Sequence, residues 1–182
     1  MSNYRRARTS GGTFFFTVVT YRRRPILDLP ESRKALREII DEVRLRHPFS
    51  VDAWVLLPEH LHCIWTLPKG NPDFSMRWSL IKSGFSKRTR ASLHVKEWMN
   101  DSKISHREST IWQRRFWEHQ IRDEEGYRAY MDYIHYNPVK HGYVKRALDW
   151  PHSTFHRYVK SGIYPEYWGG GIFHDHVYQF GE

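Results

Sequence analysis

Cysteine is nearly absent: Cys63 is the one thiol among 182 residues. An intrachain disulfide framework and a Cys-rich zinc cluster are therefore both excluded, which fits a reducing compartment. No apolar run is long enough to cross a bilayer. The start, Met1-Ser2-Asn3-Tyr4-Arg5-Arg6, is not followed by the apolar stretch of a secretory leader. No membrane role is expected, and a cytoplasmic location is. No GxxxxGK[ST] phosphate loop occurs, so nothing points to nucleotide hydrolysis. Acids are in short supply, 20 Asp and Glu against 29 Lys and Arg, for a net charge of +9. That excess favours polyanionic partners, nucleic acid first and acidic membrane surfaces second; a basic protein with no charged partner is the plain alternative.

What is present suits a single globular domain. Hydrophobic residues make up 40% and charged residues 27%, and the length allows one core. The chain divides into a basic arm (1–12), a core (13–150) and a C-terminal tail (151–182), with Gly169-Gly170-Gly171 in the tail. The aromatic fraction of 16% gives a basic surface rings on which unpaired bases can stack.

Thr13 to Tyr21 is β-branched and aromatic and reads as a strand. Pro30 to Arg46 carries Leu36, Ile39, Ile40 and Val43 at helical spacing. Phe49 to Leu57 and His60 to Leu67 form a hairpin about Pro58-Glu59. Phe74 to about Ala91 is a second helix, and Lys82, Lys87, Arg88 and Arg90 read as its solvated face. Ser92 to Ser109 is a polar insertion, a loop or short helix. Ile111 to Ile121 is a fourth strand. Asp123-Glu124-Glu125 opens a last helix, its acids favoured by the helix dipole, which ends at Tyr136 or Asn137 before Pro138. The order β-α-β-β-α-β plus a helix predicts an α+β, ferredoxin-like (RRM/palm-like) sandwich. Its antiparallel sheet has helices on one face, with a further C-terminal catalytic helix and tail.

His60-Leu61-His62 starts a strand, so the imidazoles share one face while Leu61 and Cys63 share the other. Two such imidazoles can grip a divalent metal. The bland alternative is a solvated pair with no ligand, and zinc is disfavoured because Cys63 points away. On the last helix, Tyr127, Tyr130, Tyr133 and Tyr136 compete. Tyr133 and Asn137 are one turn apart. A nucleophilic tyrosine beside an amide ligand would build a mixed N/O site suited to Mg²⁺ or Mn²⁺. Tyr127 and Tyr130 read better as rings packed on the sheet, and chemistry alone does not choose Tyr133 over Tyr136. In Trp112-Gln113-Arg114-Arg115-Phe116-Trp117, Arg114 or Arg115 would contact phosphate and a ring would stack on a base; Trp112 and one of Phe116 or Trp117 would be core.

Taken together these segments resemble the REP-associated tyrosine transposases, a bacterial branch of the HUH single-tyrosine enzymes. The resemblance runs through Tyr4-Arg5-Arg6, Gly11-Gly12-Thr13, the stretch from Leu57 to Trp65, that from Trp112 to His119, that from Asp132 to Gly142, Trp150-Pro151 and Ser153-Thr154-Phe155. It implies that Tyr133 is the nucleophile and that Asn137 stands with His60 and His62 as a metal ligand. It implies that the substrate is a repetitive extragenic palindrome, a DNA hairpin with a short conserved foot, which Arg5, Arg6 and Arg8 would read or clamp. A 5′-phosphotyrosine and a free 3′-hydroxyl would result, with no need for ATP. The enzyme would be a monomer, with a dimer as the alternative, in a bacterial cytoplasm beside the nucleoid. Free tyrosine has a pKa near ~10, so a water at the cation or solvent must take its proton; His135 faces away. Two other classes compete: a non-catalytic single-strand-binding module of RRM-like fold, and a nuclease that uses water. Covalent attachment through Tyr133 separates the first reading from both.

Overall fold

In the computed structural model, residues 11–170 are described. Four strands, β1 (Thr13–Val19), β2 (Ser50–Leu56), β3 (His60–Thr66) and β4 (Trp117–Ile121), form one sheet in the order β2-β3-β1-β4. Every pairing is antiparallel. Alternation sorts the side chains into two cores. Phe14, Phe16 and Val18 of β1 with Leu61, Cys63 and Trp65 of β3 face α1 (Pro30–Arg46) and α2 (Phe74–Arg88). Phe15 and Ile64 face the opposite way, onto α5 (Glu124–Lys140). This is the ferredoxin-like arrangement the sequence led us to expect, with α5 on the second face.

Local chemistry sets the helix ends. Pro30 opens α1 at its first turn, where its missing N–H is no loss. Asp73 caps α2 by accepting from Met76 N (2.8 Å), and Asp123 caps α5 by accepting from Gly126 N (2.7 Å). Gly84 lets α1 approach α2: a Cβ there would lie 2.3 Å from Ile39 Cδ1. Trp65 and Trp78 stack at 4.2 Å in the first core. Arg77, fully buried, donates to the His47, Pro48 and Asp73 carbonyls and to Asn71 Oδ1.

Two expectations need correction, the start of the fourth strand and the end of the last helix. The fourth strand begins at Trp117, not Ile111. Residues 111–113 touch the end of β1, with Gln113 N donating to Val19 O (3.0 Å). Lys82 Nζ then takes the Gln113 and Arg114 carbonyls, which would otherwise serve a ladder. The insertion is ordered into α3 (Arg90–Leu93) and α4 (Asp101–Ser105), the latter capped by Asn100. Helix α5 does not stop before Pro138 but runs to Lys140. Proline costs only one hydrogen bond in a last turn; the actual terminator is Gly142, whose φ of +72° suits a glycine after a helix end.

The described part of the C-terminal segment is packed. Ser153 bridges to Val55, and α6 (Phe155–Lys160) buries Phe155 fully. His135 of α5 holds it there, with Nε2 3.0 Å from Thr154 Oγ1. Burial, then the charge of Arg157, pushes the His135 pKa down from 6.5 to about 3. The unfolded chain therefore binds more protons between these values, so His135 contributes stability above pH 6.5 that is lost as pH falls toward 3. Acidification from pH 7 to 4.5 should cost roughly 3 kcal/mol from this group. Urea midpoints at the two pH values read the loss, and His135→Gln should shrink it. Equal midpoints for the parent protein would contradict this account.

Candidate active site

His60 opens β3 directly after the Pro58-Glu59 turn, and the pleat directs His60 and His62 to the α5 side. Both imidazoles are buried, and their Nε2 atoms lie 3.1 Å apart. Cys63 belongs to the opposite core, so no thiol joins them.

Each ring is fixed from behind. His60 Nδ1 is 2.9 Å from Glu59 Oε1, and His62 Nδ1 is 2.8 Å from Thr17 Oγ1 across the β1–β3 register. The hydrogen bond from His60 is the main reason the Glu59 carboxyl sits at about 2. An ionised carboxylate only accepts, so His60 Nδ1 donates, and in the neutral ring Nε2 then presents a lone pair. The Thr17 hydroxyl can play either role. When it donates, His62 Nε2–H bonds to His60. When it accepts, two lone pairs converge on one point, which is repulsive unless a cation sits there. His62 is kept neutral, the ligating form: burial first, then His60, His141, Lys140 and Arg23, hold its pKa well below 6.5. Two nitrogens at right angles around a cation, each about 2.1 Å from it, would themselves be about 3 Å apart.

Helix α5 supplies the other wall. Tyr133, Asn137 and His141 follow one another at one-turn intervals on one face. The ends of this stripe meet the histidine pair: the Tyr133 ring is 5.2 Å from His62 and the His141 ring is 5.3 Å from His60. Asn137 falls between them. Its side chain is fully buried, yet neither Oδ1 nor Nδ2 has a hydrogen-bond partner among the described residues. A buried amide left so costs about 1–3 kcal/mol, which a cation at the imidazole nitrogens would offset by taking Oδ1. No group of three His, Cys, Asp or Glu among the described residues is placed to hold an ion. The donor set that fits a metal is therefore two imidazoles and one amide.

The remaining tyrosines look elsewhere. Tyr130 packs on Phe15 and His119, Tyr127 lies against the second core, and Tyr136 meets Trp168. Lys140 extends Nζ to 5.0 Å from the Tyr133 ring centroid, a contact that requires the helix to pass Pro138. Arg22 and Arg23 adopt positive φ, 58° and 50°, at a cost of about 1–2 kcal/mol each, and the Arg23 charge reaches His62.

Of the other expected contacts, Arg5, Arg6 and Arg8 lie outside the described residues. Arg114 pairs with Glu108 and Ser102 and lines a cleft on the α2 side, while Arg115 is exposed just before β4. Trp112 and Phe116 are on the core side. Trp117 is 38% exposed and stacks on His119 (5.8 Å, 11°). It pairs with Thr17, the residue behind His62, so it sits on the histidine face. His141, Lys140 and Thr17 escaped the sequence reading. The first two were cut off by ending the helix early. Thr17 depends on a strand pairing that no single segment announces.

No family model matches the chain. A REP-associated tyrosine transposase of Escherichia coli (strain K12) is 49% identical over 172 residues, 94% of this chain and 93% of that protein. A Haemophilus influenzae protein of the same family name is 43% identical over 177 residues, 93% of this chain and 94% of its own. A solved structure of a REP-associated tyrosine transposase bound to a REP hairpin has a TM-score of 0.79 and 46% identity, covering 97% of this chain and 96% of that one. Likeness of this degree along nearly the whole length places the chain in that group: it belongs to the REP-associated tyrosine transposases.

Proposed function

We propose that this transposase nicks and rejoins single-stranded DNA at the foot of REP hairpins, and that Tyr133 is the tyrosine through which it works. The observation that carries this reading is the orphaned Asn137 amide, fully buried on the α5 stripe between Tyr133 and His141, whose rings meet the paired imidazoles. His60, His62 and Asn137 would hold Mg²⁺ or Mn²⁺. Such an ion, when bound, polarises a non-bridging phosphate oxygen and stabilises charge built up during displacement.

The protein's own groups do the rest. Tyr133 Oη attacks phosphorus, the P–O3′ bond breaks, and the phenol's proton ends on the departing 3′ oxygen by way of solvent. The products are a 5′-phosphotyrosine and a 3′-hydroxyl. One phosphoester replaces another, so the reverse attack by a 3′-hydroxyl rejoins the strand. Lys140 and Arg23 add positive charge where phosphate must sit, and Glu59 and Thr17 keep the imidazoles aimed. Tyr133, His60, His62 and Asn137 are buried while Lys140 and Arg23 are exposed, so a strand drawn to the surface cations has to open this face to reach the phenol, and the low dielectric inside strengthens charge contacts there.

Incubating the protein with a REP hairpin oligonucleotide and Mn²⁺ should yield a band of protein-linked DNA on a denaturing gel, lost with EDTA. Free 5′-phosphate ends without a linked band would favour a water-using nuclease instead. Binding without cleavage would favour an RRM-like module.

Trp117, exposed beside the Thr17–His62 pair, is suited to stack an unpaired base. Trp117→Ala should weaken binding of a single-stranded foot oligonucleotide by roughly 1–3 kcal/mol, read by fluorescence anisotropy, with Trp117→Phe retaining most of the affinity. An unchanged Kd in the alanine variant would remove Trp117 from the binding surface.

A further inference from the structure

A cleft of about 490 Å³ opens on the opposite side of the sheet, between α2 and the chain from His106 to Phe116. The sequence reading left the α2 cations as a solvated face. The structure walls that face instead. Ser75, Ser79, Ser83 and Ser86 line it along one side of α2, a row of hydroxyls about 16 Å long. Ser86 Oγ meets Ser109 Oγ at 3.1 Å on the far wall. Lys82, Lys87, Arg90, Arg107 and Arg114 also line the cleft, against the single carboxylate of Glu108. Arg114 is already paired to Glu108, and Lys82 is tied to backbone carbonyls. Lys87, Arg90 and Arg107 have no ion-pair partner among the described residues. Arg107 is held at a φ of +54°, a strained setting for a non-glycine residue.

Hydroxyls interleaved with uncompensated cations are the chemistry of phosphate contact. The aromatic residues of the cleft are committed elsewhere: Trp112 packs on Phe85, and Phe116 on Phe16, Phe74 and Trp78. A single strand would need free rings for its bases, whereas a duplex keeps its bases stacked and offers only backbone. His106, an exposed ring of the cleft, is tied through Nδ1 to the Ser102 carbonyl (2.7 Å), and exposed Trp117 and His119 are on the other face. The segment from Gln113 to Phe116 leads from the cleft straight into β4, one of the sheet's two edge strands. A duplex held in the cleft would thus deliver its single-stranded foot around that edge to the histidine face.

We infer that this cleft binds the sugar-phosphate backbone of the duplex stem of the hairpin, separately from the site that cuts its foot. The inference rests on the reading that the chain acts on hairpin DNA. It is tested in the full-length protein carrying Tyr133→Phe, so that binding is seen without chemistry. The triple variant Lys87→Ala, Arg90→Ala, Arg107→Ala removes three cations. Each phosphate contact on a duplex contributes about 0.9 to the slope of log affinity against log salt. The hairpin slope should therefore fall by about 2.7, and affinity at 0.1 M salt by on the order of 10²–10³-fold. A stemless strand carrying the same foot should lose less than a third as much slope. Substituting Lys at Arg90 and Arg107, and Arg at Lys87, should restore the hairpin slope, and an unchanged melting temperature shows that the fold is kept. An unchanged hairpin slope overturns the inference. So does an equal loss on hairpin and stemless strand, or a preference of the cleft for an acidic peptide over duplex. Failure of the unsubstituted protein to form a DNA-linked band would instead strike the catalytic reading and leave the stem measurement standing.

Discussion

Tyr133→Phe leaves hairpin affinity within a few-fold of the parent protein and removes the DNA-linked band, a loss on the order of 10⁴-fold or more in nicking rate, as deletion of a covalent nucleophile entails. The substitution deletes one oxygen. The ring stays, with its contacts to Phe15 and His62, so the second core keeps its packing. Tyr136, at Trp168, and Tyr130, between Phe15 and His119, are not placed to substitute. Burst nicking of a labelled hairpin and anisotropy binding, run side by side, check the two halves of the expectation. Residual nicking above one part in a thousand would point to water or to another tyrosine.

His62→Ala abolishes Mn²⁺ binding measurable by calorimetry, and Thr17→Val weakens it by about 10–100-fold. In the tautomer that would hold an ion, the histidine supplies one of two converging lone pairs. The threonine touches no ion; it only decides whether His62 turns a lone pair or a hydrogen toward His60. Valine nearly matches its volume but cannot bond Nδ1, leaving a buried nitrogen unpartnered. The graded pair of effects distinguishes an aligned metal site from a chance histidine pair: with no site, neither variant changes the calorimetric trace. Asn137→Ala belongs with His62→Ala in the loss of binding, yet it should raise thermal stability of the metal-free protein. It deletes a buried amide whose two polar atoms have no described partner, a liability of about 1–3 kcal/mol.

The alternation in His60-Leu61-His62 already fixed which residues share a face, and the structure puts Cys63 and Leu61 in the core opposite the imidazoles. Helix α1 is readable from Pro30 to Arg46 because Pro30 and the spacing of Leu36, Ile39 and Val43 agree. Rules that act locally failed where tertiary contacts overrule them. Pro138 reads as a stop, but the packing of α5 on the sheet carries the helix three residues beyond Asn137 to Lys140 at the cost of one hydrogen bond, bringing Lys140 and His141 to the site. The Ile111 strand reading failed because Lys82, 31 positions away from Gln113, takes the carbonyls a ladder would need. The choice between Tyr133 and Tyr136 is a matter of helix phase against the sheet. Periodicity gives relative phase only; the contacts with Phe15 and His62 give the absolute one. The cleft lay outside any single-segment reading, since its two walls come from α2 and from residues after the insertion.

The central claim is that the phenol beside His62 becomes bonded to DNA. Digesting the DNA-linked protein with protease and nuclease, then sequencing the modified peptide by mass spectrometry, tests it directly. The account predicts a nucleotide adduct on Tyr133 within the peptide from Ala129 to Lys140. An adduct on Tyr130 or Tyr136, or cleaved DNA with every tyrosine unmodified, would contradict it.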